Sequence, residues 1–227
     1  MTKKYSDTSD YYVSKLNHFE KPLILELGVN RGGSTLNFLK HINQFGGKLF
    51  SIDINDCSKI VFDKRFQNVN TTKWNFLKSN DINIKYIFKN FPILKDGIDI
   101  LFIDSYHDET HVKKILETWF FFVKKNGYIF FDDTESMLYR KSKNFALSVN
   151  NDAIDKLVYN FYFNNSHQID YIKYFKGSGI SEFKKISEMG TEADFSNKIW
   201  QYNLILSKVY LLIKKILYKV KYKLKNN

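Results

Sequence analysis

Short apolar runs that stop abruptly at a glycine or an acid recur along most of the chain. Leu23-Ile24-Leu25-Glu26-Leu27 runs into Gly28, and Lys48-Leu49-Phe50-Ser51-Ile52 ends at Asp53. The run from Ile98 to Ile103 ends at Asp104-Ser105-Tyr106-His107, and Tyr128-Ile129-Phe130-Phe131 ends at Asp132-Asp133. Runs of this length and composition read as buried strands of a parallel sheet. Helical stretches alternate with them: Thr35 to Asn43, ending at Gly46-Gly47; Ser58 to Phe66; Ile82 to Phe91; and Glu109 to Val123, with Asn126-Gly127 as its C-terminal stop. A weaker strand is expected near Thr72 to Leu77. Repeated strand and helix predict an α/β fold, a doubly wound and mostly parallel Rossmann-like sheet.

Outside that alternation the pattern changes. Ser9-Asp10 can cap a short helix from Tyr11 to Phe19, with Tyr12, Leu16 and Phe19 on one face. It would lie over a ligand or pack on the sheet. Thr134 to Val149 has no clear period and reads as a loop at the ligand edge, with Tyr139 and Arg140 as candidate substrate contacts. Asn151 to Tyr162 reads as a helix. Ile169 to Phe175 and Ile180 to Lys185 flank Lys176-Gly177-Ser178-Gly179 and predict an antiparallel pair at the sheet's end. The expected organisation is a helical extension over residues 1–20, the main domain over residues 21–195, and a basic amphipathic helix over residues 196–227.

That tail changes how the charge is read. The chain is net +11, which invites nucleic acid, an anionic membrane or a phosphorylated substrate as partner. No acidic residue follows Asp194, while lysines stand at 198, 208, 214, 215, 219, 221, 223 and 225. Lysines gathered in one amphipathic helix, rather than in a stripe interleaved with stacking aromatics, make nucleic acid the less favoured partner. Lys208 and Lys214 keep the apolar stretches too short to span a bilayer. The helix then suits an anionic membrane surface, or packs on its own domain or on a partner subunit of a homo-oligomer. A single cysteine, Cys57, excludes a disulfide framework and a cysteine-based zinc site. The N-terminus offers no apolar core for a signal peptide, so a cytoplasmic location is expected, peripheral at the inner face of the membrane if the tail binds there.

Candidate chemistry collects at one edge of the expected sheet. Parallel strands end on the same side, so Asp104, His107, Asp132 and Asp133 should meet where open α/β sheets bind ligands. Each acid taken singly is as readily a strand end or a helix cap. Three together repel unless a proton or a cation joins them. Oxygen ligands in that number suit a hard ion such as Mg²⁺, held by Asp104, Asp132 and Asp133. His107, three residues beyond Asp104, has the ordinary pKa of a general base. At the first strand's end, glycines let the backbone approach a ligand, and the following helix N-terminus offers free N–H groups. Asp53 would accept from ribose hydroxyls. The spacing Glu26-x-Gly28-x-x-x-Gly32-Gly33 departs from the dinucleotide fingerprint G-x-G-x-x-G.

Glu26-Leu27-Gly28-Val29-Asn30-Arg31-Gly32-Gly33-Ser34 resembles the first motif of class I S-adenosylmethionine-dependent methyltransferases, and Asp53 matches their ribose-binding acid. Ile103-Asp104-Ser105-Tyr106-His107 and Phe131-Asp132-Asp133 resemble the metal-dependent sugar O-methyltransferases of the macrocin and mycinamicin type, and also cephalosporin-hydroxylase-like relatives. The resemblance covers about Tyr11 to Phe183. It implies S-adenosylmethionine bound by Glu26, Gly28, Asn30, Gly32, Ser34, Asp53, Asn80 and Asp104, with Mg²⁺ on Asp104, Asp132 and Asp133, and His107 as the base. Ser79-Asn80-Asp81 stands where Gly-Asp-Ser is the commoner sequence. The expected activity is methyl transfer to a sugar hydroxyl of a cell-surface glycan or glycoside precursor. The alternatives are an RNA or other small-molecule methyltransferase and a nicotinamide-dependent oxidoreductase.

Overall fold

A seven-stranded sheet in the order β3-β2-β1-β4-β5-β7-β6 organises the chain. The computed structural model describes residues 8–136 and 145–196, together with Val209, Leu212, Ile213, Ile216 and Leu217 of the tail. Its strands are β1 (Leu23–Leu27), β2 (Lys48–Asp53), β3 (Trp74–Lys78), β4 (Ile98–Ile103), β5 (Val123–Asp132), β6 (Ile169–Tyr174) and β7 (Ile180–Lys185). The helices are α1 (Ser9–Leu16), α2 (Gly33–Phe45), α3 (Ile84–Asn90), α4 (Glu109–Trp119) and α5 (Phe145–Asn165). β1 to β5 pair in parallel, while β7 runs antiparallel to both β5 and β6. The expected doubly wound sheet with an antiparallel end pair is therefore the observed one. The chain divides into two compact units, Met1–Ser196 and Asn197–Asn227.

Strand periodicity sorts the core into two layers. Leu23, Leu25 and Leu27 of β1 share one apolar cluster with Ile129 and Phe131 of β5 and with Val112, Ile115 and Trp119 of α4. Ile24 points to the other face, among Phe38 and Ile42 of α2, Phe102, Phe130 and Tyr12 of α1. Successive side chains of a strand face opposite ways, so Glu26 follows Ile24 toward α2. Helix α1 begins at Ser9 itself, with Thr8 rather than Ser9 at the N-cap, and it packs on the sheet: Tyr12 lies 4.9 Å from Phe102, centroid to centroid.

Three sequence expectations shift. Ser58 to Phe66 forms two 3₁₀ turns, Ser58–Phe62 and Lys64–Phe66, rather than one α-helix. The helix expected to reach Val123 stops at Trp119 and passes through a 3₁₀ turn, Phe120–Phe122, into β5. Buried Lys185 ends it: its Nζ donates to the carbonyls of Phe120 at 2.9 Å and Val123 at 3.0 Å, groups that a helix end leaves unpaired. Asn126-Gly127 then lies inside β5 as an irregularity, since Ile98 pairs with Val123 but Ile100 pairs with Tyr128. Asn126 has φ 63°, and Asp99 opposite accepts from Leu23 N and Lys124 Nζ. α5 is longer than expected, beginning at Phe145. Tyr139, Arg140 and the tail lysines lie outside the described residues.

Candidate active site

The loop leaving β1 is built against the end of β4. Gly28 has φ +92°, and a Cβ there would sit 2.1 Å from the Asp104 carbonyl oxygen, so only glycine fits both the angle and the approach. Gly32, at φ +72°, caps α2, and a Cβ there would meet Ile60 Cδ1 at 2.5 Å. Asn30, at φ 48°, completes the turn. Asp53, at the end of β2, holds this loop: its Oδ2 accepts from Val29 N at 2.9 Å and Asn30 N at 3.1 Å, and its Oδ1 from Asn55 N at 2.8 Å. Burial raises the Asp53 pKa, but these backbone donors outweigh it and hold the carboxyl below its ordinary value.

Glu26 lies underneath, fully buried. Its carboxylate accepts from Ser34 Oγ at 2.6 Å, from Thr35 Oγ1 at 2.8 Å and 3.0 Å, and from Ser51 Oγ at 2.5 Å. Ser51 in turn accepts from Trp74 Nε1, which ties β3 into the same network. Burial pushes the Glu26 pKa up to about 7, against the lowering effect of the three hydroxyls. Ser34 and Thr35 open α2, so the acid supports the helix N-terminus from below.

A cavity of about 500 Å³ opens at the strand ends. Gly28, Asn30, Asp53, Asn80, Asp104, His107 and Asp133 line it, so the structure brings together seven of the expected site residues. Glu26, Gly32 and Ser34 shape the loop from behind and are not part of this lining. Asp132 lines a small hollow at the back, shared with Ser105 and His107. Ser105 Oγ is buried without a hydrogen-bond partner and borders both spaces.

His107 stands between two strand ends. Its Nε2 lies 3.2 Å from Asp104 Oδ1 and 3.8 Å from Asp133 Oδ2. Burial lowers the imidazole pKa, but the Asp104 hydrogen bond and the charges of Asp133, Asp104 and Asp132 outweigh it, and the net shift is upward. Asp132 is pushed well above the carboxylate range by burial, then by the charges of Asp104 and Asp133. Asp104 is also raised, chiefly by burial. Among the described residues, no three His, Cys, Asp or Glu side chains converge as a metal-binding set. This differs from the expectation for Asp104, Asp132 and Asp133. Asp133 sits at φ 55°, and it and Asp104 both approach the same nitrogen, His107 Nε2. The donor chemistry still fits a hard divalent cation: three carboxylates on adjacent strand ends, two of them raised by burial and mutual charge.

One pair at the cavity has no local signal in the sequence. His111, in the first turn of α4, places Nε2 3.0 Å from Asp81 Oδ1, and both residues line the cavity beside Asn80. Asp81 is 6% exposed and its carbonyl accepts from Trp119 Nε1 at 2.8 Å. Asp108, which accepts from His111 N, marks the helix cap in sequence, but nothing local pairs His111 with a residue 30 positions away.

A glycine loop fixed by an acid on β2 thus opens on a cavity at the strand ends of this sheet. Residues 25–134 match the family model of a methyltransferase domain. An uncharacterized protein of Acanthamoeba polyphaga mimivirus is 34% identical over 149 residues, which span 61% of this chain and 63% of that protein. Among solved structures, the S-adenosylhomocysteine-bound methyltransferase PaMTH1 of Podospora anserina superposes with a TM-score of 0.60 at 15% identity, over 78% of this chain and 77% of that one. MycE, the methyltransferase of the mycinamycin biosynthetic pathway, in complex with Mg, S-adenosylhomocysteine and mycinamycin VI, superposes with a TM-score of 0.53 at 14% identity. That match covers 86% of this chain and 52% of MycE.

Proposed function

We propose that the protein is an O-methyltransferase that moves the methyl group of S-adenosylmethionine to a sugar hydroxyl of a glycan or glycoside precursor, with a divalent cation assisting. The observation that carries this reading is His107 beside Asp104 and Asp133 on the wall of a cavity that the glycine loop also lines. A bound S-adenosylmethionine supplies a methyl group already activated by its sulfonium, so the protein need only position an acceptor oxygen and remove its proton. Gly28 and Asn30 would hold the amino-acid end of that cofactor, Asp53 its ribose and Asn80 its adenine.

Against an ionised Asp104, His107 Nε2 carries the proton and donates it, which leaves Nδ1 as the basic nitrogen. Asp104 and Asp133 then stabilise the imidazolium formed when His107 takes the acceptor's proton. Asp104, Asp132 and Asp133 are the residues that would hold the cation, and a cation there lowers the pKa of a nearby hydroxyl. The described lining contains Asp53, Asp81, Asp104 and Asp133 but no Lys or Arg, in a chain of net +11. An acidic cavity suits a cationic methyl donor and a neutral sugar, and it disfavours a nucleic-acid backbone.

The test is methyl transfer from labelled S-adenosylmethionine to a panel of neutral glycosides and to RNA, with and without Mg²⁺. Labelled glycoside supports the reading. Transfer to RNA alone would replace it.

A further inference from the structure

The tail carries an apolar surface that the catalytic unit does not explain. Its five described residues, Val209, Leu212, Ile213, Ile216 and Leu217, are all helical, and all are about half exposed or more, from 48% at Val209 to 62% at Leu217. They are spaced i, i+3, i+4, i+7 and i+8, which places them on one stripe of a helix. Scattered exposed apolar residues need no explanation, but a contiguous stripe of branched aliphatics marks an interaction surface.

The sequence around the stripe says what would cover it. Eight lysines follow Asp194 and no acid does, so these account for most of the net +11. A second copy of the same helix would bring lysine against lysine with no carboxylate to pair. The rest of the chain stays net positive and offers no opposite field overall. An anionic lipid surface supplies both requirements, an apolar layer for the stripe and negative charge for its flanks. No described helix is long and apolar enough to cross a membrane, and Lys208, Lys214 and Lys215 interrupt the apolar sequence around the stripe.

We propose that residues 197–227 dock the enzyme reversibly on an anionic bilayer, with Val209, Leu212, Ile213, Ile216 and Leu217 seated among the headgroups and the lysines on the lipid phosphates. The association then requires both parts. It should weaken as salt rises, because the charge term decays within a Debye length. It should also weaken when the stripe is made polar at constant charge.

The test is flotation of the full chain with phosphatidylcholine vesicles and with phosphatidylcholine–phosphatidylserine vesicles, beside the double variant Leu212→Asn/Ile216→Asn. We expect the natural protein to float only with the anionic vesicles and to be released by high salt. The double variant should float about tenfold less or worse, while keeping the thermal midpoint and sedimentation coefficient of the natural protein. Failure of the natural protein to float with anionic vesicles would overturn the proposal. A variant that loses thermal stability would do the same, by showing that the stripe packs on its own chain. So would a variant that sediments as a smaller species, by showing a subunit interface. Flotation reads no methyl transfer, so its outcome is independent of the acceptor proposed above.

Discussion

Gly28 and Asp104 touch backbone to backbone: a Cβ on Gly28 would lie 2.1 Å from the Asp104 carbonyl oxygen. The loop that would receive the methyl donor and the strand end that carries the candidate base are therefore one rigid unit. Gly28→Ala meets both the clash and a φ of +92°. We expect it to cost roughly 3 kcal/mol of stability, measured by chemical denaturation, and to weaken S-adenosylmethionine binding in step. Full stability in this variant would mean that the loop and β4 are not in contact.

Glu26 gives the fold a pH dependence of its own. Its pKa rises from 4.5 to about 7 in the folded protein, so between those values the native state holds a proton that the unfolded chain has released. Stability from this group is complete below 4.5 and is lost as pH rises through about 7. The difference is on the order of 3 kcal/mol. Glu26→Gln keeps the shape and removes the titration. Denaturation midpoints of the two proteins, compared across that window, should shift steadily in favour of the variant as pH rises. Parallel curves would show that Glu26 titrates normally.

His107→Ala removes the only imidazole between Asp104 and Asp133 among the described residues. We expect turnover to fall by roughly 10²-fold or more, the scale of a general base, with little change in cofactor affinity. Paired single-turnover and binding measurements separate the two. Undiminished turnover would move the proton to another acceptor.

How far these arguments reach from sequence alone follows from where the determining contacts lie. The bounds of β2 and the start of β4 were legible because each is a continuous apolar run punctuated by polar residues. The meeting of Asp53, Asp104, His107 and Asp133 at one cavity was legible too, since parallel strands end on one side. Asn126-Gly127 misled because the same pair that stops a helix also makes a strand irregularity. Lys185, some 60 residues downstream, donates to the carbonyls of Phe120 and Val123 where the helix has ended, a contact that no local pattern shows. The burial of Glu26 under Ser34, Thr35 and Ser51 was hidden for the same reason: the motif shows an acid in a strand, but the hydroxyl on β2 that completes its shell comes from a strand pairing.

Metal dependence should appear in activity and in binding. With Asp132→Asn or Asp133→Ala, activity should be lost and added Mg²⁺ should not restore it, and chelation should silence the natural protein reversibly. A protein that keeps full activity after thorough chelation would leave these acids as supports for His107 alone.

The central claim is that the cavity at the strand ends binds S-adenosylmethionine. Isothermal titration of the full chain with S-adenosylmethionine tests it directly, with Asp53→Ala as the comparison, because Asp53 orders the glycine loop and is the proposed acceptor for the ribose hydroxyls. We expect one site per chain in the natural protein, competed by S-adenosylhomocysteine and weakened at least tenfold in the variant. No heat of binding at millimolar ligand, or equal affinity in the variant, would contradict the account.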